Sequence, residues 1–217
     1  MIEIAHSKAK TDEIYKFRYR ILFQEMGYHV EGTDQAREEI VEDHDHRSIH
    51  FYAERDDQII AALTLTVLDG NRIPRRWIRI FELDRWSAEK NQISVCSRLA
   101  VSPKYRGTLL TFRIFSSAYV YCCNNGILAN LAHASEGSIK QYMKLGYKRF
   151  GKSFISQSGY KHFPVMLLSY DQKNMQKCGS PFLKLCCSVP AKPKNFYSPV
   201  FNKVKSFTDK SASKVIS

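Results

Sequence analysis

The sequence predicts an α/β fold, a sheet covered by helices. Three observations carry this. The chain opens on an amphipathic helical stretch, residues 48–68 hold two β-rich runs joined by a polar turn, and the second half alternates strand, helix, strand, helix, strand.

The first periodic segment is TDEIYKFRYRILFQEMG (11–27). Ile14, Phe17, Ile21 and Leu22 recur at helical spacing, which makes one face apolar. Thr11 or Asp12 is placed to cap its start and Gly27 to end it. Arg18 and Arg20 are expected to project from this helix. Residues 28–47 are polar and read as a loop with a short acidic piece, REEIVED. SIHFYAE (48–54) and QIIAALTLTVL (58–68) read as the strands of a hairpin joined by RDDQ. DGNRIPRR is a turn with a basic patch, and 77–90 holds a short helix. QISVCSRLAV (92–101) reads as a buried strand and SPKYRG as a loop. TLLTFRIFSSAYVYCCN (108–124) is a nearly apolar helix suited to packing on a sheet. ILANLAH (127–133) is a short strand, and SEGSIKQYMKLG (135–146) a helix with Ser135 as cap and Gly146 as stop. YKRFG and HFPVMLLSYD give two more strands. From about Asp171 the periodicity ends, and Pro181, Pro190, Pro193 and Pro199 break regular structure.

Composition narrows the class. A chain of 217 residues can bury a core without disulfides or a metal. With 44% hydrophobic and 12% aromatic residues it is globular, not disordered. No apolar run is long enough to cross a bilayer. The opening MIEIAHSKAKTDE lacks the apolar core of a secretory signal, so a cytoplasmic location with reduced cysteines is expected. Cys96, Cys122, Cys123, Cys178, Cys186 and Cys187 do not show C-x-x-C zinc spacing, and no metal is expected.

The net charge of +12 is unevenly placed: residues 173–217 hold nine lysines and one acid, Asp209, while the first 172 residues carry 24 basic and 20 acidic side chains. A domain over 1–172 and a poorly ordered basic tail over 173–217 are therefore expected. The tail either makes the chain soluble or meets an anionic partner. Its PFLKLCCSVPAKPK stretch suggests peripheral contact with an anionic membrane, with Cys186 and Cys187 as acylation candidates. Nucleic acid is disfavoured, because the body is only mildly basic and shows no recognised motif.

The run SRLAVSPKYRGTLLTFRIF takes a strand through an Arg-Gly loop into a helix. That arrangement gathers free backbone N–H groups and the positive helix end at one point, a place for a carrier phosphate or an ordinary strand-to-helix turn. The ordered set FRYRILFQEMGY (17–28), Glu42 and Asp45 followed by RSIHF, C-S-R-L-A-V (96–101), P-K-Y-R-G (103–107), Y-M-K-L-G-Y (142–147) and P-V-M-L-L (164–168) resembles the GNAT acyltransferase superfamily. The closer resemblance is to its branch of N-acyl amino acid synthases and acyl-homoserine-lactone synthases. It covers roughly residues 13–170, in order. It implies a GNAT-type mixed central sheet with helices on both faces. It also implies N-acyl transfer from a carrier protein or CoA thioester to the amine of an amino acid or similar small amine. No cofactor is implied beyond the acyl thioester co-substrate.

Two departures refine the expectation. The superfamily's coenzyme A loop is typically R-G-x-G-x-G/A, whereas here it is Arg106-Gly107-Thr108-Leu109-Leu110-Thr111. Loss of the later glycines narrows a pyrophosphate cradle. It argues against an ordinary acetyl-CoA enzyme and fits the donor that the resemblance to this branch implies, an acyl carrier protein, whose acidity would suit a basic surface. The homoserine-lactone synthases show E-x-S-R on the central strand and an arginine on the preceding one; this chain has Val95 and Thr64 there. Both lower the weight of that branch.

Attack of an amine on a thioester needs a neutral amine, a stabilised oxyanion and a protonated leaving thiolate. Backbone N–H groups along 96–101 can serve the oxyanion, which brings in Ser97, Leu99 and Val101. Glu42 and Asp45, one turn apart if helical, are candidates to hold the ammonium and accept its proton, or else form a solvated acidic loop. Arg98 either pairs structurally with one of them or orients them and binds a substrate carboxylate. Arg18 and Arg20 are candidates for the same work. The resemblance implies Tyr142 as proton donor to the thiolate, against the reading of a packed helix aromatic. Arg106 and Gly107 belong to the donor loop, and His133 is a base or a satisfied core-edge histidine.

Three rivals stand beside this. Asp43, His44, Asp45, His46 and His50 have metal-ligand types without a matching template. His29 and Asp34 match the H-x-x-x-x-D spacing of glycerolipid acyltransferases. A non-catalytic GNAT-fold module binding an acyl carrier would explain the lost glycines and glutamate.

Overall fold

The computed structural model describes residues 1–69, 73–85 and 92–188. Its strands, in chain order, are β1 (Ile2–Ile4), β2 (Thr33–Asp34), β3 (Glu39–Ile40), β4 (Ile49–Arg55), β5 (Gln58–Val67), β6 (Ile93–Val101), β7 (Ala129–Ser135), β8 (Lys148–Arg149), β9 (Phe154–Ile155) and β10 (Lys161–Leu168). The α-helices are α1 (Lys8–Arg18), α2 (Arg75–Ile80), α3 (Leu110–Asn124), α4 (Ile139–Leu145), α5 (Gln172–Cys178) and α6 (Phe182–Ser188). The main sheet runs β1-β4-β5-β6-β7-β10-β8, with β9 also on β10. Its described ladders are antiparallel except β6–β7, which is parallel from Ile93↔Ala129 to Val95↔Leu131. This is the mixed, helix-flanked sheet that the sequence predicts.

The chain divides into two compact units, where the sequence suggests one domain over 1–172. The first comprises Met1–Thr66, Cys96–Ala118 and Gln157–Gly159; the second comprises the described residues of 67–95, 119–156 and 160–188.

In the first unit, α1 begins earlier than its apolar pattern suggests. Ser7, not Thr11 or Asp12, is its cap, accepting from Lys10 N at 3.2 Å, and Thr11 Oγ1 turns back to Ser7 O at 2.8 Å. Past Arg18 the helix widens into a π-helical stretch, Tyr19–Glu25, which stops at Gly27 with φ +66°. Ile14, Phe17, Ile21 and Leu22 pack with Ile40, Tyr52, Ile59, Ala62 and Ala100. The β4–β5 hairpin forms as expected, turning on Asp56 and Asp57, both at positive φ. The segment expected to be a loop holds the small β2–β3 ladder and a 3-10 turn, Asp45–Arg47. β1, which the sequence does not announce, pairs with β4. Three residues are too few to show a period.

In the second unit, α2 and a 3-10 turn, Leu83–Arg85, realise part of the helix expected in 77–90; residues 86–90 lie outside the described residues. Ser135 does not cap α4. It ends β7, and its hydroxyl meets Ser138 Oγ at 3.0 Å. Gly146 stops α4 with φ +104°.

The largest correction concerns the region after Asp171, where structure continues as α5 and α6. Asp171 caps α5 through Asn174 N at 3.2 Å, and Pro181 sits just before α6 instead of breaking it. Met175 and Phe182 are buried, and Phe182 stacks on Tyr119 with ring centroids 4.6 Å apart. Ser180 Oγ donates to Leu145 O at 2.6 Å. The expected tail boundary at 173 thus falls inside a packed region. The rest of that tail, from 189, and the side chains of Cys186 and Cys187 lie outside the described residues. Among the described residues no helix is long and apolar enough to cross a membrane.

Candidate active site

The first unit gathers two guanidiniums, two carboxylates and two imidazoles. α1 delivers Arg18, the turn after β3 delivers Glu42, His44 and Asp45, β4 delivers His50, β5 delivers Thr64 and β6 delivers Arg98. Arg18 is fully buried and does not project from its helix as the sequence suggests. Its Nη1 donates to Asp45 Oδ2 at 3.0 Å, and its Nη2 reaches both Thr64 Oγ1 and His50 Nδ1. A guanidinium cannot accept, so His50 Nδ1 carries the lone pair and Nε2 carries the proton, donated to Asp45 O at 3.0 Å. His50 is therefore neutral. Burial and the Arg18 charge lower its pKa to about 4. His44 is also lowered to about 4, chiefly by burial, so its 3.9 Å approach to Glu42 is no ion pair at neutral pH.

Glu42 and Asp45 are not on a helix face. Glu42 N donates to Asp45 Oδ2 at 2.8 Å, and Asp45 N to Glu42 O at 2.8 Å, which locks both into one tight turn. Arg98 Nη2 lies 2.7 Å from Glu42 Oε2, and also donates to Glu31 O at 3.3 Å. Burial lowers the Arg98 pKa to about 10, which leaves it charged at neutral pH. Its backbone has φ +52° in the middle of β6, a conformation that costs a bulky residue about 1–3 kcal/mol. Asp45 Oδ1 and Ser97 Oγ are buried without a hydrogen-bond partner among the described residues.

The remaining candidates fall elsewhere. Arg20 is exposed, with its guanidinium over the Phe17 ring at 5.4 Å, and takes no part in the cluster. Two positions separate it from Arg18, roughly 200° around a helix, so one arginine is buried and the other faces out. Arg106 is held by Glu25 Oε1 at 2.6 Å and donates from Nε to Val101 O at 3.0 Å. Gly107 has φ +76° with open space where a Cβ would stand, and Leu109 is 67% exposed. Leu99 is half-buried and Val101 buried. In the second unit, Tyr142 is half-buried and lies edge-on to Tyr147 at 5.1 Å. His133 Nδ1 meets His162 Nδ1 at 3.1 Å, which satisfies one ring nitrogen of each.

Of the residues in the metal rival, Asp45 and His50 both engage Arg18. Among the described residues no group of three or more ligand-type side chains could hold a metal. In the H-x-x-x-x-D rival, Asp34 accepts from Ala36 N and Arg37 N, and the His29 ring lies against Phe23. Sequence reasoning does not find Thr64 and His50 as partners of Arg18. Thr64 draws notice there only for standing where an arginine is usual, and the structure brings the Arg18 guanidinium to that threonine from α1.

The mixed, helix-flanked sheet is of the GNAT type, the class of fold that the solved structures below share with this chain. The family model described as N-acyl amino acid synthase FeeM matches residues 13–171, and the chain belongs to that family. It is an N-acyltransferase. Among solved structures, the CoA-dependent acyl-homoserine lactone synthase BjaI with MTA is 15% identical with a TM-score of 0.64, over 83% of this chain and 90% of that one. FeeM from uncultured soil microbes is 11% identical with a TM-score of 0.63, over 85% of this chain and 98% of that one. Escherichia coli ElaA is 14% identical with a TM-score of 0.55, over 77% and 99%. No curated protein sequence matches the chain.

Proposed function

We propose that the protein moves a fatty acyl group from an acyl carrier protein thioester to the amine of an amino acid or similar small amine. The observation that carries this reading is the buried contact of Arg98 with Glu42, made from a left-handed residue on β6. The same turn holds an Asp45 oxygen that has no hydrogen-bond partner among the described residues. Holding such a backbone conformation costs stability, and strain of this kind concentrates at functional sites.

In the proposed reaction the amine nitrogen attacks the thioester carbonyl, the C–S bond breaks, and an amide and a thiol result. Glu42 and Asp45 hold the incoming ammonium and accept its proton. Arg98 orients Glu42 and offers its remaining N–H groups to the acceptor's carboxylate. Arg18 fixes Asp45 from behind and is a positioning residue. Backbone N–H groups of β6 around Ser97 and Leu99 stabilise the oxyanion. The departing thiolate takes up a proton and leaves as the thiol. The thioester supplies the activation, so the scheme calls for no metal or redox cofactor.

A carrier-protein donor is supported by the loop that follows β6. Leu109 and Thr111 stand where the superfamily's loop has glycines, and the Arg106 side chain is engaged by Glu25 and Val101 O. Lipid-extract mass spectrometry of cells making the protein tests the reading. New N-acyl amino acid ions, absent from cells making Arg98→Ala, are expected. No new lipid in either, with both proteins folded, would contradict it.

A further inference from the structure

The helices α4, α5 and α6 of the second unit carry a charge pattern that acyl transfer does not use. Their sequences, IKQYMKL, QKNMQKC and FLKLCCS, hold five lysines and no carboxylate. α5 packs against both α4 and α6. Lys140, Lys144, Lys173, Lys177 and Lys184 are all exposed. Lys140, Met143 and Lys144 fall at i, i+3 and i+4, so they share one side of α4, and Met143 is 47% exposed. Lys173 and Lys177 repeat the i, i+4 spacing on α5.

Little opposes this charge. Between residues 135 and 188 there are nine basic residues and two acids, Glu136 and Asp171. Asp171 is buried, caps α5 and pairs with Lys148 at 3.2 Å. The sequence from 189 onward adds six lysines against one Asp, interleaved with Phe196, Tyr197, Phe201 and Phe207.

We infer that the α4–α6 face docks on a lipid bilayer with anionic headgroups. Lysine is a point charge on a flexible stem, suited to a fluid array of headgroups, whereas a folded acidic partner is better matched by the rigid fork of arginine. The three helices contain no arginine. An exposed methionine among the lysines fits an interface that is charged outside and apolar beneath. Binding of this kind stands apart from the acyl-transfer reading, and joined to it would release an amphiphilic product into the bilayer.

Vesicle co-sedimentation of the full chain tests the inference. Phosphatidylcholine vesicles containing phosphatidylglycerol should bind the protein, more weakly as salt rises, and pure phosphatidylcholine vesicles should not. Each lysine near such a surface is worth on the order of five-fold in affinity. Changing all five to Glu should therefore weaken binding by about a hundred-fold or more, with acyl transfer in vesicle-free solution unchanged. A five-site Lys→Gln variant should shift binding the same way by less, and it serves if the charge-reversed chain fails to fold. Equal vesicle binding by wild type and variants would overturn the inference, as would no vesicle binding at all. So would binding of an acidic carrier protein through these lysines without binding of vesicles.

Discussion

Arg98 and Glu42 meet at 2.7 Å although 56 positions separate them in the chain, and Arg98 has φ +52° in the middle of a strand. Arg98→Ala and Glu42→Gln should each lower acyl transfer by about 10²–10⁴-fold, the usual worth of a general base or its partner. If the two act as a unit, the double variant should lose scarcely more than either single one. Steady-state kinetics of the four proteins check this, and additive losses would contradict it.

Arg18 and Asp45 form a fully buried ion pair at 3.0 Å. Asp45→Asn leaves the guanidinium without its counter-charge and should cost about 3–5 kcal/mol. Replacing both, as Arg18→Met with Asp45→Leu, should recover part of that stability while leaving activity low. Urea denaturation of the wild type and these two variants measures both effects on stability.

His44 and His50 each have a folded pKa lowered to about 4, chiefly by burial, against an ordinary value of 6.5. Between those values the unfolded chain binds more protons than the folded one, so stability should fall as pH drops from about 6.5 toward 4. Below that range these two groups add no further dependence. A melting-temperature series in pH should show the decline, with a shallower slope for His50→Gln. An unchanged slope would show that His50 is not held neutral.

Leu109 and Thr111 are predicted to exclude a free coenzyme A pyrophosphate. Leu109→Gly with Thr111→Gly should lower KM for an acyl-CoA donor and leave KM for the acyl carrier protein donor unchanged. Gly107→Ala should cost about 1 kcal/mol from backbone strain alone, since there is room for its Cβ.

The sheet and its helices were legible because α1 shows a 3.6-residue apolar period, while β4, β5, β6 and α3 stand out as β-rich or nearly apolar runs bounded by polar turns. The short elements β1, β8 and β9 span two or three residues and carry no period. α5 and α6 were hidden by their lysines and by Pro181, and among their described side chains only Met175 and Phe182 are buried, which leaves a faint apolar signature. Glu42, Asp45, Arg98 and Arg18 were legible as residue types in order. Their pairing was not: which carboxylate meets which arginine depends on contacts 27 to 56 positions apart, and the contact of Arg18 with Thr64 spans 46. Arg20 misled because an arginine two positions from a buried one looks the same in sequence.

The most direct test of the account is product analysis with purified protein, an acyl carrier protein thioester and a mixture of amino acids. Mass spectrometry should find an N-acyl amino acid with wild type, and about 10²-fold less or lower with Arg98→Ala, whose fold is checked by circular dichroism. Equal amide formation by the two proteins, or none by the wild type with either a carrier-protein or a CoA donor, would contradict it.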